Sequence, residues 1–187
     1  MSKLKIYLIG LATLLLFPIP AYFMLRYTDN IQLADFFQLD KLHYVPILLG
    51  IELGLLYACI AIVLMNTGLL VKERAFQKKM LQQLNMNMGD MLFLSLCAGI
   101  GEELLFRIGV QHYLGPIYAS LIFVALHGYF DPRNWRTTLY GILVTPFIFL
   151  IAFGLDYFGL WFCIAAHAAY DLLLFYVYGK QPKEDSY

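Results

Sequence analysis

Apolar residues run with little interruption through six stretches of the chain, 6–25, 45–65, 91–112, 116–129, 139–153 and 160–178. A helix rising about 1.5 Å per residue needs about 20 such residues to cross a hydrocarbon core of about 30 Å, so each stretch reads as a membrane helix. The fourth and fifth are short and are expected to be tilted or kinked. The first run follows Lys3 and Lys5, and Phe17-Pro18-Ile19-Pro20 leads into more apolar residues with no small-residue cleavage pattern. It therefore reads as an uncleaved span. In the connection after the second run, Phe76, Met80, Leu84 and Met88 recur every four residues, while Lys72, Arg74, Lys78 and Lys79 fall elsewhere. That spacing predicts either a basic amphipathic helix on the cytoplasmic leaflet or a solvated helical linker.

Composition supports this reading. Of 187 residues 61% are hydrophobic and only 14% charged, against about 45–50% and about 25% in soluble domains. Thirteen cations balance thirteen anions, so no nucleic-acid partner is indicated. Cys59, Cys97 and Cys163 lie in apolar runs without CxxC spacing and read as buried thiols. The expected fold is an all-α polytopic transmembrane helical bundle of about six membrane helices. Residues 1–90 would hold two spans and the basic connection, 91–179 the core, and 180–187 a frayed tail, all in one integrated domain. Lys3, Lys5, Lys72, Arg74, Lys78, Lys79, Arg133, Arg136, Lys180 and Lys183 fall on one side, and only Arg26 and Lys41 on the other. Both termini are therefore expected in the cytoplasm.

Charges within the spans cost roughly 2.5–3.5 kcal/mol each on insertion scales, so each needs a reason. They are Glu52, Glu102, Glu103, Arg107, His127, His167 and Asp171, with Asp156 near an end. Glu103 and Arg107 are four apart and can pair on one helix face. Glu102 points about 100° away and must meet a group on another helix. Phe123 and His127, and His167 and Asp171, are also four-residue pairs on their own helices. Counted from the outer ends of their spans, Glu102, His127 and Asp171 lie roughly 15–16 Å deep and His167 about 10 Å. One carboxylate and two imidazoles at a shared depth can activate water and stabilise an oxyanion. Alternatively, Glu102, His127 and His167 can hold a zinc ion with one open position. Glu52, beside Gly50 and Gly54, can line the cavity or bond a neighbouring helix. His43 and His112 read as solvated groups near the interfaces, and Tyr129, Trp135 and Tyr140 as interfacial anchors. Asp131 in Asp131-Pro132-Arg133-Asn134 reads as a turn cap.

Three motifs, Glu102-Glu103…Arg107, Phe123…His127 and His167…Asp171, stand in order on separate predicted helices. In this the chain resembles the CAAX protease and bacteriocin-processing (CPBP, or Abi) family of intramembrane proteases over about residues 91–178, including Gly101 and Gly159-Leu160-Trp161. The resemblance implies a helical membrane endopeptidase acting on a peptide or membrane-protein substrate. Glu102 with His127 would activate the attacking water, and His167 with Asp171 would bind the oxyanion. Glu103, Arg107 and Phe123 would support the site. Asp171 departs from the Asn of the family's prenyl-protein-processing members, so it would either be protonated or orient His167. A metal-free glutamate mechanism is expected, with the zinc mechanism on Glu102, His127 and His167 as the alternative, because the ligands would come from three helices without an H-E-x-x-H. Two rival classes stand beside it: a non-catalytic scaffold or bacteriocin-immunity protein, and a small proton-coupled transporter. A transporter needs a polar path to both faces, whereas 91–100 offers only Ser95 and Cys97. The compact length suits a prokaryotic plasma membrane.

Overall fold

A computed structural model describes residues 3–180, so the expectation of a frayed tail beyond Lys180 falls outside the described residues. Among them the chain is helical and no strand forms. Helix α1, Lys3–Leu16, is broken by Phe17-Pro18 and continues as α2, Pro18–Thr28, with proline in the first turn where its missing N–H costs nothing. A short α3, Leu33–Phe36, and a 3-10 turn, Leu39–Lys41, lead to α4, Tyr44–Met65. Then come α5, Val71–Leu84, α6, Met88–Glu103, a π-helical segment, Leu104–Val110, and α7, Gln111–Leu126. The long α8, Trp135–Phe158, and α9, Leu160–Lys180, close the bundle. The Asn87 side chain and the Asp90 carboxylate cap α6 reciprocally, each bond at 2.9 Å.

Four helical stretches are long and apolar enough to cross a membrane: 3–28 (α1 with α2), Tyr44–Met65, Trp135–Phe158 and Leu160–Lys180. The expected third and fourth spans meet inside α7, where Gly115 adopts the non-helical φ 75° and ψ 170° before Pro116, so the helical path from Met88 breaks there and a second helix runs on to Leu126. Only glycine takes that conformation readily. This path carries Asp90, Glu102, Glu103 and Arg107 and does not meet the same criterion of length and hydropathy. The fifth span, expected to be short, is a full-length helix of 24 residues.

Helix α9 is the hub, packed against α4, α6 and α8, while α1 lies on α6. The α4–α9 contact is backbone-close. A Cβ at Gly54 would stand 2.2 Å from the Ala166 carbonyl oxygen, so the small pair Gly50 and Gly54 sets the approach of the two helices. Gly101 plays the same part for α1, whose Thr13 carbonyl oxygen would lie 2.2 Å from an added Cβ. The two ends of the bundle are tied by different contacts. At one end Lys3 pairs with Asp90 at 2.9 Å, tying α1 to the start of α6, and Thr137 donates to Glu73 at 3.1 Å, tying the start of α8 to α5. At the other, Gln38 receives the Leu160 N–H at 2.9 Å and His112 stands 3.2 Å from Asp29.

Candidate active site

The Glu103–Arg107 pair forms as the spacing predicts, Arg107 Nε donating to Glu103 Oε2 at 2.8 Å, and both side chains are fully buried. It forms across the start of the π-helical segment rather than in regular α-helix. Arg107 also reaches Gln111 Oε1 at 3.3 Å, and Gln111 donates to the Ala152 carbonyl of α8 at 2.8 Å. The Glu103 carboxylate does more than pair within its helix. Its second oxygen, Oε1, takes a hydrogen bond from His167 Nδ1 at 2.7 Å, tying α6 to α9. His167 in turn sets Nε2 3.5 Å from Asp171 Oδ2.

Glu102 finds its partner on another helix, as the 100° rotation requires. Its Oε2 lies 3.4 Å from Nε2 of His127, just past the end of α7. The His127 ring is fixed by Nδ1, which donates to the Phe123 carbonyl at 2.8 Å and leaves Nε2 facing Glu102. Phe123 sits among these groups. Its ring stacks on His127 at 4.3 Å, meets His167 edge-on at 5.8 Å, and lies 5.7 Å beneath the Arg107 guanidinium.

Glu102, Phe123, His127, His167 and Asp171 line one cavity of about 130 Å³, closed by Tyr129, Phe147 and Tyr170 among others. A larger vestibule of about 710 Å³ adjoins it through His127, Tyr129, Tyr170 and Asp171 and is walled by α5 and the start of α8. The α5 apolar stripe is therefore only partly what the spacing suggested. Phe76 and Met80 face this vestibule, while Leu81 is buried in the bundle.

Several expectations need correction. Tyr140 is no interfacial anchor; it is 3% exposed, its hydroxyl 3.2 Å from that of Tyr170. Tyr129 is half-buried and stacks on His127 at 5.7 Å. Trp135 alone of the three is exposed, with Arg136 over its ring. Cys97 and Cys163 are buried, but Cys59 is exposed. Glu52 neither lines the cavity nor bonds another described residue; it points outward from α4. The Tyr140–Tyr170 pair had no sequence signal, whereas Gln111 could have been found as the next four-residue step after Arg107. Among the described residues, no three His, Cys, Asp or Glu side chains are grouped to hold a metal ion. The donors named for zinc are drawn apart into two pairings, Glu102 with His127 and His167 with Glu103 and Asp171. As arranged, they do not fit a metal.

A helical membrane protein with paired carboxylate–imidazole contacts around an embedded cavity has the build of an intramembrane protease. Residues 84–173 match the family model described as Rce1-like, type II CAAX prenyl endopeptidase. Over these residues, just under half of its length, the chain is similar to the CAAX protease and bacteriocin-processing family. No curated protein and no solved structure matches it. The matched segment runs from the end of α5 into α9 and contains all seven motif residues.

Proposed function

We propose that the chain hydrolyses a peptide bond in the 130 Å³ cavity with a water activated by Glu102 and His127. The observation that carries this reading is the 3.4 Å separation of Glu102 Oε2 and His127 Nε2. Both atoms are acceptors, and the distance is long for a strong hydrogen bond. One water can donate a hydrogen to each. As its oxygen attacks the substrate carbonyl, Glu102 takes the proton and later returns it to the leaving amine. His167, its Nδ1–H given to Glu103, turns a protonated Nε2 toward the cavity beside Asp171 and stabilises the oxyanion. Glu103, Arg107, His167 and Asp171 then sum to no net charge, as a low-dielectric site favours. Glu103, Arg107 and Phe123 position these groups, and no metal is required.

The substrate is a peptide or membrane-protein segment entering through the vestibule. The family's name makes a prenylated CAAX terminus one class to test, and leader peptides are another. The end carrying the basic connections faces the cytoplasm of a prokaryotic plasma membrane, with both termini there.

The test compares peptide termini in cells producing the wild type and Glu102→Gln at matched protein levels. Cleavages that vanish in the variant establish proteolysis and name the substrate. Identical termini with an intact cellular phenotype would overturn the reading in favour of a scaffold or immunity protein.

A further inference from the structure

His127 is the one reacting side chain named above that lies beyond the end of its helix, as the C-cap of α7. Gly128 follows in the left-handed region, at φ 74°, which glycine adopts without strain. Its N–H bonds to the Ala125 carbonyl at 2.9 Å, and the Tyr129 N–H bonds to the Val124 carbonyl at 3.4 Å. These two bonds close a Schellman turn, which reverses the chain and brings Tyr129 back beside the imidazole. The Tyr129 ring stands 5.7 Å from the His127 ring and 22° from parallel to it. With Phe123 at 4.3 Å and 26°, the imidazole has two near-parallel aromatic neighbours.

Tyr129 is itself held in place. Its main chain rests on α8 at Gly141, where an added Cβ would stand 2.6 Å from the Tyr129 Cβ and 3.1 Å from its carbonyl oxygen. The Tyr140 ring meets it edge-on at 5.1 Å, and the Tyr140 hydroxyl reaches Tyr170 of α9. Tyr129 lines both the cavity and the vestibule, so it stands where the two join. All the contacts named here are made by its ring or main chain, and its hydroxyl takes part in none of them.

We propose that Tyr129 is a positioning residue of the active site, acting through His127; this rests on the hydrolytic reading above. The His127 side chain is 32% exposed and lacks the enclosure that holds His167, at 7%. Its Nδ1 is anchored to the Phe123 carbonyl, and that single bond leaves the ring free to tip about it. The Tyr129 ring restrains the tip, which keeps the proton on Nδ1 and Nε2 aimed at Glu102. Such aim matters because a displacement of about 1 Å in a reacting group can cost about 10²-fold in rate.

The test uses the full chain in detergent, with a peptide spanning a bond whose cleavage vanishes in Glu102→Gln. Tyr129→Leu is expected to lower kcat by about 10–100-fold and leave KM within about threefold. Tyr129→Phe, which keeps the ring, should stay within about threefold of the wild type in both. A second readout needs no substrate: ring 15N NMR of histidine-labelled protein at a pH where the imidazole is neutral. The chain has four histidines, and His127→Gln identifies the signals of interest. Wild type and Tyr129→Phe are expected to carry the proton on Nδ1 alone, and Tyr129→Leu to show both tautomers. Unmoved His167 signals show that the bundle of Tyr129→Leu is intact, and Tyr129→Met takes its place if they move. An unchanged kcat in Tyr129→Leu, a loss confined to KM, or an equal loss in Tyr129→Phe would each overturn the proposal. So would a single Nδ1 tautomer in Tyr129→Leu. If the wild type cleaves no bond, the hydrolytic reading has failed, and the tautomer signals alone decide whether Tyr129 holds His127.

Discussion

The two carboxylates of the Glu102-Glu103 step lie one residue apart and live in different worlds. Glu103 is fully buried and bonded on both oxygens, to Arg107 at 2.8 Å and to His167 at 2.7 Å, so its position is set by two helices. Glu102 is partly exposed, borders the cavity, and meets His127 at 3.4 Å through an oxygen that makes no hydrogen bond to any described residue. One half of the site is locked and the other is left to react. A buried carboxylate bonded on both oxygens rigidifies what it touches, while a general base needs an unsatisfied acceptor within reach of its proton.

Glu102→Gln should act on chemistry and leave the fold alone. We expect cleavage to fall by about 10²–10⁴-fold, with the thermal midpoint within a degree or two of the wild type in detergent. Next in size, Glu103→Ala should break the locked half, leaving Arg107 buried without its partner at a cost of about 3–5 kcal/mol. Its signature is low abundance and a lowered midpoint, and unchanged stability would show that Glu103 does not hold the two helices. Asp171→Asn should be mild, less than about tenfold in cleavage rate, because the amide can donate to the oxyanion and only one of the flanking carboxylates is lost. Thorough chelation of zinc should change the rate least of all. Loss of activity on chelation, with recovery on adding zinc, would refute the metal-free mechanism.

A control lies far from both halves. Asp90 accepts from Tyr7 Oη, the Asn87 N–H and Lys3 Nζ, which together hold its carboxyl at about 2. Its folded value is below the unfolded one of about 3.9. Its contribution is therefore present above about pH 4 and lost as the pH falls through about 2. The midpoint difference between wild type and Asp90→Asn should be constant from neutral pH to about 5 and close toward zero near 2.

The elements legible in the sequence were those where a fixed helical rotation decides the geometry. The Glu103–Arg107 step, the outward aim of Glu102 and the Glu102–His127 meeting all follow from 100° per residue and a common depth. What spans the helices laterally was not legible. The bond from Glu103 to His167 depends on how α6 and α9 rotate about their axes, and apolar runs on every face carry no mark of that rotation. The outward turn of Glu52 was hidden for the same reason, since α4 is hydrophobic all round. Tyr129 and Tyr140 looked interfacial because they flank the charged turn 131–136, yet Tyr129 stacks on His127 and Tyr140, on α8, turns inward to Tyr170. The π-helical segment had no composition signal, whereas the break at Gly115-Pro116 falls between the third and fourth expected spans.

The cavity's size sets a limit on what can be cut. At about 30 Å³ per water, 130 Å³ holds about four solvent molecules. An α-helix with its side chains is about 10–12 Å across and cannot pass. On the proposed reading, scission is confined to chain that is already unwound, or that unwinds on the way in. Resistance to this protease would then be a matter of local helix stability near the scissile bond as much as of sequence there, and a substrate's frayed end would be trimmed before its folded middle.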